Sequence, residues 1–241
     1  MIAGLGSGEL VIVFLITAAG AIVQGSAGIG LGLIASPFLL RVDPAFAPGP
    51  LLLGGVVIGA RHVAVEWNDL DRPALGRSLL GLPFGAAAGL ALLRVMTDDT
   101  ISLLVGVVIC IASLVLLRGV RIRATPTSHI LTGAAAAFTS VTAAIPGPPL
   151  AIGFADLTPR SLRCTVSVFV AVTSLVAFIG LATIGRFGSH EGALLAIMIP
   201  GLVAGVLLSR WTRPLLDRHW FRPAVLLLSL AGGAALVINQ L

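Results

Sequence analysis

The sequence predicts an all-α polytopic membrane protein of two four-segment halves, each opening on a helix broken by glycine or proline. Three observations lead there. Apolar stretches near 20 residues recur along the whole chain, with charge confined between them. Two of those stretches are too long for one untilted crossing and are interrupted midway. The arginines sort to one face only if these two stretches turn back on themselves.

Composition sets the class. Of 241 residues, 57% are hydrophobic and 10% are charged, with a mean hydropathy of +1.08. A soluble domain carries about a quarter charged residues, so this chain lacks the polar cover a water-facing surface needs. A hydrocarbon core about 30 Å thick is crossed by about 20 helical residues. All 15 basic residues are arginine and the formal charge is +5. Because they lie between apolar stretches, they read as topology determinants and not as a nucleic-acid surface. Cys110 and Cys164 fall in apolar runs and form no CxxC pair. His62, His129, His190 and His219 lack metal-ligand spacing. No metal and no cofactor is expected. The run from Leu10 lacks the charged n-region of a cleaved signal peptide.

Eight apolar segments follow in order: 10–40, 47–60 (extending outward to about 65), 78–93, 101–117, 128–155, 165–184, 193–209 and 224–241. Charged loops at 61–77, 118–123, 156–163 and 210–222 separate them. The first segment is broken at GSAGIGLG, Gly25–Gly32, with Pro37 beyond, and the fifth at PGPP, Pro146–Pro149. Glycine and proline weaken or interrupt the helical ladder. Polar side chains flank both breaks: Gln24 and Ser26 in one, Thr139, Ser140 and Thr142 in the other. The chain thus divides into 1–123 and 124–241.

If all eight segments crossed once, the loops would hold 7 arginines on one face and 8 on the other. If the first and fifth segments enter and leave by one face, 12 share a face and only Arg41, Arg94 and Arg186 lie opposite. The second distribution obeys the positive-inside rule. It implies six full crossings, two broken hairpins with arms of about 14–16 residues, inverted halves and both termini periplasmic. Two short crossings in place of each hairpin would keep the same sidedness. Helices broken at corresponding places in two halves point to a midplane substrate site, since a bare backbone must face protein or a water-filled cavity.

At these breaks the chain resembles the TauE/SafE family of membrane permeases, also described as sulfite exporters. The resemblance rests on Gly20–Leu40, on Thr132–Phe154 with Leu157–Arg163, on Ile199–Arg210 and on Asp217–Ile238, and spans nearly the whole chain. It implies a secondary carrier of the bacterial inner membrane that moves sulfite or organosulfonates. The family's GIGGPP is replaced here by AIPGPP, Ala144–Pro149.

The breaks also suggest how an anion is held. A broken helix leaves free N–H groups at the start of its second half, equivalent to about +0.5 charge. Candidate donors lie near Gly28, Gly30 and Gly32, and after Gly147, Pro148 and Pro149. Gln24, Ser26, Thr139, Ser140 and Thr142 could add side-chain donors, and Arg163 could attract anions at the cytoplasmic mouth. Each has a plainer reading. The glycines equally serve close helix packing, the hydroxyls can bond back to helix carbonyls, and Arg163 can serve topology and phosphate headgroups. No acidic residue lies deep in an apolar segment, Glu66 included, so a membrane-embedded carboxylate proton relay is not expected. The expected function is alternating-access transport of a small anion in contact with membrane lipid. Proton or ion coupling and a homodimer are left open. An anion channel, a structural membrane protein and, least supported, an intramembrane enzyme are the alternatives.

Overall fold

The computed structural model describes residues 4–28, 30–216 and 221–238. Expectations that touch Ile29, Asp217, Arg218, His219 and the end of the last segment lie outside those residues. The described residues form helices and two short 3-10 turns, with no sheet. In the first half, α1 (Ser7–Ala27) and α2 (Leu31–Val42) are followed by α3 (Gly49–Glu66), α4 (Arg72–Val95) and α5 (Asp98–Leu117). In the second, α6 (Pro126–Ala143) and α7 (Gly147–Gly153) precede α8 (Pro159–Thr183), α9 (Ser189–Leu216) and α10 (Phe221–Ile238).

Helix starts follow local chemistry. Asp71 accepts the Ala74 N–H at 2.8 Å and Pro73 stands at the second helical position of α4. Thr125 accepts the Ser128 N–H at 3.0 Å at the head of α6, and Thr158 caps α8 in the same way just before Pro159. Each such cap satisfies an orphan donor and is worth about 1 kcal/mol.

Among the described residues, six helical stretches are long and apolar enough to cross a bilayer: Ser7–Ala27, Gly49–Asp69, Arg72–Val95, Asp99–Leu117, Pro159–Thr183 and Ser189–Thr212. Their number matches the expected six, but the set differs. It contains α1, and Leu31–Val42 and Pro223–Ile238 fall among the shorter apolar helices. The arms about the breaks are unequal as well. α1 has 21 residues and α2 has 12, while α6 has 18 and α7 only 7. The asymmetry in the second case has a clear cause: Gly147, Pro148 and Pro149 begin α7 instead of interrupting a longer helix, because proline tolerates a first turn and not an interior.

Small residues let the helices approach backbone to backbone, the expected device where lipid offers no hydrophobic drive. Gly81, Gly85 and Gly89 of α4 lie four apart and meet α6, where a Cβ on Gly85 would stand 2.8 Å from the Ala134 carbonyl carbon. Gly205 of α9 lies on α1, with a Cβ there 2.5 Å from Ala18 O. Gly106 of α5 and Gly233 of α10 face each other, and Gly59 of α3 rests on Ser167 of α8. The four most extensive helix packings are therefore α4 on α6, α1 on α9, α5 on α10 and α3 on α8. Every one joins residues 1–123 to residues 124–241. Leu15, Phe84, Leu175 and Leu207 are exposed, the apolar character a lipid-contacting surface requires.

Charge collects at the two ends of the bundle. α3 begins at Gly49 against Phe187 and ends at Glu66 beside Arg163. Near its start lie the Asp43–His190 pair and Arg186, which donates to Met96 O. Near its end lie Arg61 and Ser209. Several arginines expected in loops are in fact helical: Arg61 in α3, Arg72 and Arg77 in α4, Arg160 and Arg163 in α8, and Arg210 in α9. Helices continue past the apolar run because their last turns lie at the level where arginine can reach water and headgroups.

Candidate functional site: a cavity between two helix breaks

The first break is made by two glycines. Gly28 closes α1 with φ +83°, donating its N–H to Gln24 O at 2.7 Å, and Gly30 precedes α2 with φ +144°. These are conformations that only glycine adopts readily. α2 then packs on α1, where Gly20 meets Leu31 and Ala35. Gln24 spans the gap. Its Oε1 accepts the Leu31 N–H at 2.9 Å and its Nε2 reaches Gly55 O at 3.5 Å. One donor at the head of α2 is thus satisfied by the protein, and Gly32 and Leu33 follow it in the same first turn.

The second break uses an alanine where the family run carries glycine. Ala144 sits in the left-handed region at φ 57°, ψ 32°. Its N–H donates to Ser140 O at 2.9 Å and that of Ile145 donates to Thr139 O at 3.1 Å, which closes α6 with a left-handed cap. The alanine accepts a conformation worth about 1–2 kcal/mol of strain. Past it, the chain enters α7, whose Gly153 rests on Thr132 of α6.

The two breaks touch. Gly32, in the first turn of α2, packs directly on the Ala144 carbonyl; a Cβ there would stand 3.0 Å from Ala144 C and 3.2 Å from Ile145 Cγ1. Around this junction lies a cavity of about 740 Å³. Val23, Gln24, Ser26, Gly28, Gly30 and Gly32 line it from the first break, and Ala144, Ile145, Pro146, Gly147 and Pro148 from the second. It runs on past Leu116–Arg121 and Phe154–Leu162, toward the end of the bundle that holds Glu66 and Arg163. Arg121 is the one charged residue lining it among the described residues. No carboxylate among the described residues does so.

Other expected site residues are placed elsewhere. Thr139 and Pro149 line a second, apolar cavity of about 500 Å³ between α5, α6 and α7, which shares Ile145 and Pro148 with the first. Ser140 and Thr142 are fully buried and line neither cavity. The hydroxyl protons have partners already. Ser26 donates to Ile22 O at 2.9 Å, Thr139 to Ala135 O at 3.0 Å, Ser140 to Ala136 O at 2.6 Å and Thr142 to Phe138 O at 2.8 Å. These are back-bonds to the preceding turn.

Arg163 is not among the cavity residues. It is buried, and its Nη2 donates to Glu66 Oε1 at 2.6 Å and its Nε to Glu66 Oε2 at 3.0 Å. Glu66, expected in a loop, is the last residue of α3 and is 6% exposed. The acidic loop composition around Glu66 disguised it, because its partner lies 97 residues away. Arg121 is one of three arginines in the connecting loop 118–123, and nothing local sets it apart from the other two. No group of three His, Cys, Asp or Glu side chains suited to a metal occurs among the described residues.

The family model for the sulfite exporter TauE/SafE matches residues 12–236. The chain belongs to the TauE/SafE family. Members of this family are transporters, not enzymes. Family and helices together place this TauE/SafE protein in the bacterial inner membrane as a multi-pass protein. No curated protein and no solved structure matches the chain.

Proposed function

We propose that this TauE/SafE protein is a secondary transporter that carries a small anion, sulfite or an organosulfonate, through the cavity between its two helix breaks. The observation that carries the reading is the convergence of both breaks on one cavity whose charged lining, among the described residues, is Arg121. An anion entering past Arg121 meets no carboxylate among the described residues and ends at the first turn of α2, where N–H groups carry partial positive charge. Glycines at 28, 30 and 32 keep that surface free of side chains.

In this reading α1–α2 and α6–α7 are broken hairpins in inverted halves, 1–123 and 124–241. The pairing of helices supports it. Exchanging the halves turns α1 on α9 into α6 on α4, and leaves α3 on α8 and α5 on α10 unchanged. The arginine-rich end is cytoplasmic by the positive-inside rule, the termini are periplasmic, and the cavity opens inward. Alternating access then proceeds with α1–α9 and α4–α6 moving as tightly locked pairs, sliding across the α3–α8 and α5–α10 contacts.

Flux into proteoliposomes with sulfite, sulfoacetate, sulfate and a neutral control tests this, together with counterflow. Saturable counterflow of one anion, with a KM that rises severalfold in Arg121→Gln, supports it. Flux without counterflow identifies a channel instead, and no flux of any anion overturns the reading.

A further inference from the structure

Two polar rungs link α3 to α8 behind the first break. α3 carries His62 and Glu66 one turn apart, and α8 carries Ser167 and Arg163 one turn apart. His62 Nδ1 lies 3.1 Å from Ser167 Oγ, and the Glu66–Arg163 ion pair forms the second rung. His62 is 2% exposed and Arg163 is 9% exposed. Burying ionisable groups inside the bundle is costly. A buried ion pair is itself weak evidence for stability.

Both rungs end on the same short stretch of α1. His62 Nε2 lies 2.9 Å from Gly25 O. A carbonyl only accepts, so Nε2 carries a proton and donates, and in the neutral imidazole Nδ1 then accepts from the Ser167 hydroxyl. Gly25 O belongs to the last turn of α1. The stem of Arg163 packs on Gly28, where a Cβ would stand 2.7 Å from Arg163 Cγ. Gln24, in that same last turn, reaches the other way to the Leu31 N–H at the head of α2. The ladder therefore holds the end of α1 from behind, while Gln24 aligns α2 in front.

We infer that His62, Ser167, Glu66 and Arg163 are positioning residues for the anion site. They fix the last turn of α1, and through Gln24 they set the exposure of the α2 donors. This rests on the anion-carrier reading. It departs from a role for Arg163 as an anion-attracting mouth residue, since its charge is already matched by Glu66.

The test uses the full chain in proteoliposomes. His62→Leu keeps the bulk and loses both bonds; its KM for the transported anion rises about tenfold, with folded yield and maximal counterflow near wild type. His62→Gln has an amide N–H for Gly25 O and an oxygen for Ser167, and keeps its KM within about twofold. Where His62→Leu does not fold, Ser167→Ala replaces it, with a smaller rise expected. A wild-type KM in His62→Leu or its replacement overturns the proposal. So does a loss in His62→Gln as large as in His62→Leu, which would demand imidazole chemistry in place of placement. A second readout needs no transport. Ala27→Cys, on the cavity wall beside Gly28, is labelled with a maleimide in a Cys110→Ala, Cys164→Ala background. Adding His62→Leu changes the labelling rate severalfold; an unchanged rate overturns the ladder even if no anion moves.

Discussion

Gly32 offers the sharpest perturbation, because it is where the two breaks meet. Its φ is ordinary, so Gly32→Ala adds no backbone strain and tests packing alone. The new Cβ would stand 3.0 Å from the Ala144 carbonyl carbon and closer still to its oxygen. Carbon atoms rest at about 3.5–4.0 Å, so one break must retreat from the other by at least about 0.5 Å. The obstacle is backbone, and the N–H groups of Ala144 and Ile145 are each tied to α6 by a hydrogen bond. Overpacking of this kind costs about 1–3 kcal/mol, and a rigid obstacle places it in the upper half of that range. At about 2–3 kcal/mol the properly joined state falls about 30- to 150-fold. Gly76→Ala is the control. Nothing lies within 4 Å of a Cβ there, and in a helix alanine gains up to about 1 kcal/mol over glycine. Thermal melting of purified protein and anion counterflow are the assays. Gly32→Ala should melt lower and carry little flux, while Gly76→Ala melts at or above wild type. A Gly32→Ala variant with wild-type melting and flux would refute the claim that the breaks form one site.

Three further outcomes follow from the same geometry. Gln24→Ala unties the Leu31 N–H from its cap, costing about 1 kcal/mol at the head of α2, and should weaken anion binding severalfold by titration; unchanged affinity removes Gln24 from the site. Ala144→Gly relieves the left-handed alanine and should raise the melting point by about 1 kcal/mol in stability; a lower melting point would show that the Ala144 methyl packs better than it strains. Ser140→Ala and Thr142→Val lose only bonds to the preceding turn, so their KM in counterflow should stay within about twofold, and a tenfold rise in either would return that hydroxyl to the site.

Much of this molecule is readable before it is folded. The eight apolar runs, a break within Gly25–Gly32, another beside Pro146–Pro149, and an outward extension of the second run to about residue 65 follow from hydropathy and from glycine and proline chemistry. What escapes is of two kinds. Unequal arms escape because hydropathy ignores the polar start of α1 at Ser7–Glu9, and because prolines that open α7 look the same as prolines that break a helix. Partnerships escape because they cross long stretches of chain. Nothing local to Arg163 announces Glu66, and nothing in the 118–123 arginine cluster singles out Arg121. The polar residues nearest a break are the natural candidates, yet Ser140 and Thr142 face carbonyls of their own helix. Only the three-dimensional route of the backbone decides which residues beside a break see the cavity.

The order in which the chain is made acquires a meaning from these cross-half packings. Ser26 on α1 and Ser209 on α9 hydrogen-bond across 183 residues, so α1 enters the membrane long before its partner has been synthesised. Its small-residue face, with Thr17, Ala21 and Gly25, must wait in lipid while seven or more helices are laid down. α4, by contrast, finds α6 soon after the connecting loop emerges. Insertion is therefore staged: the α4–α6 side sets first and serves as the template on which the α1–α9 side closes last. A ribosome that stops after α8 leaves the α9-facing side of α1 without its partner.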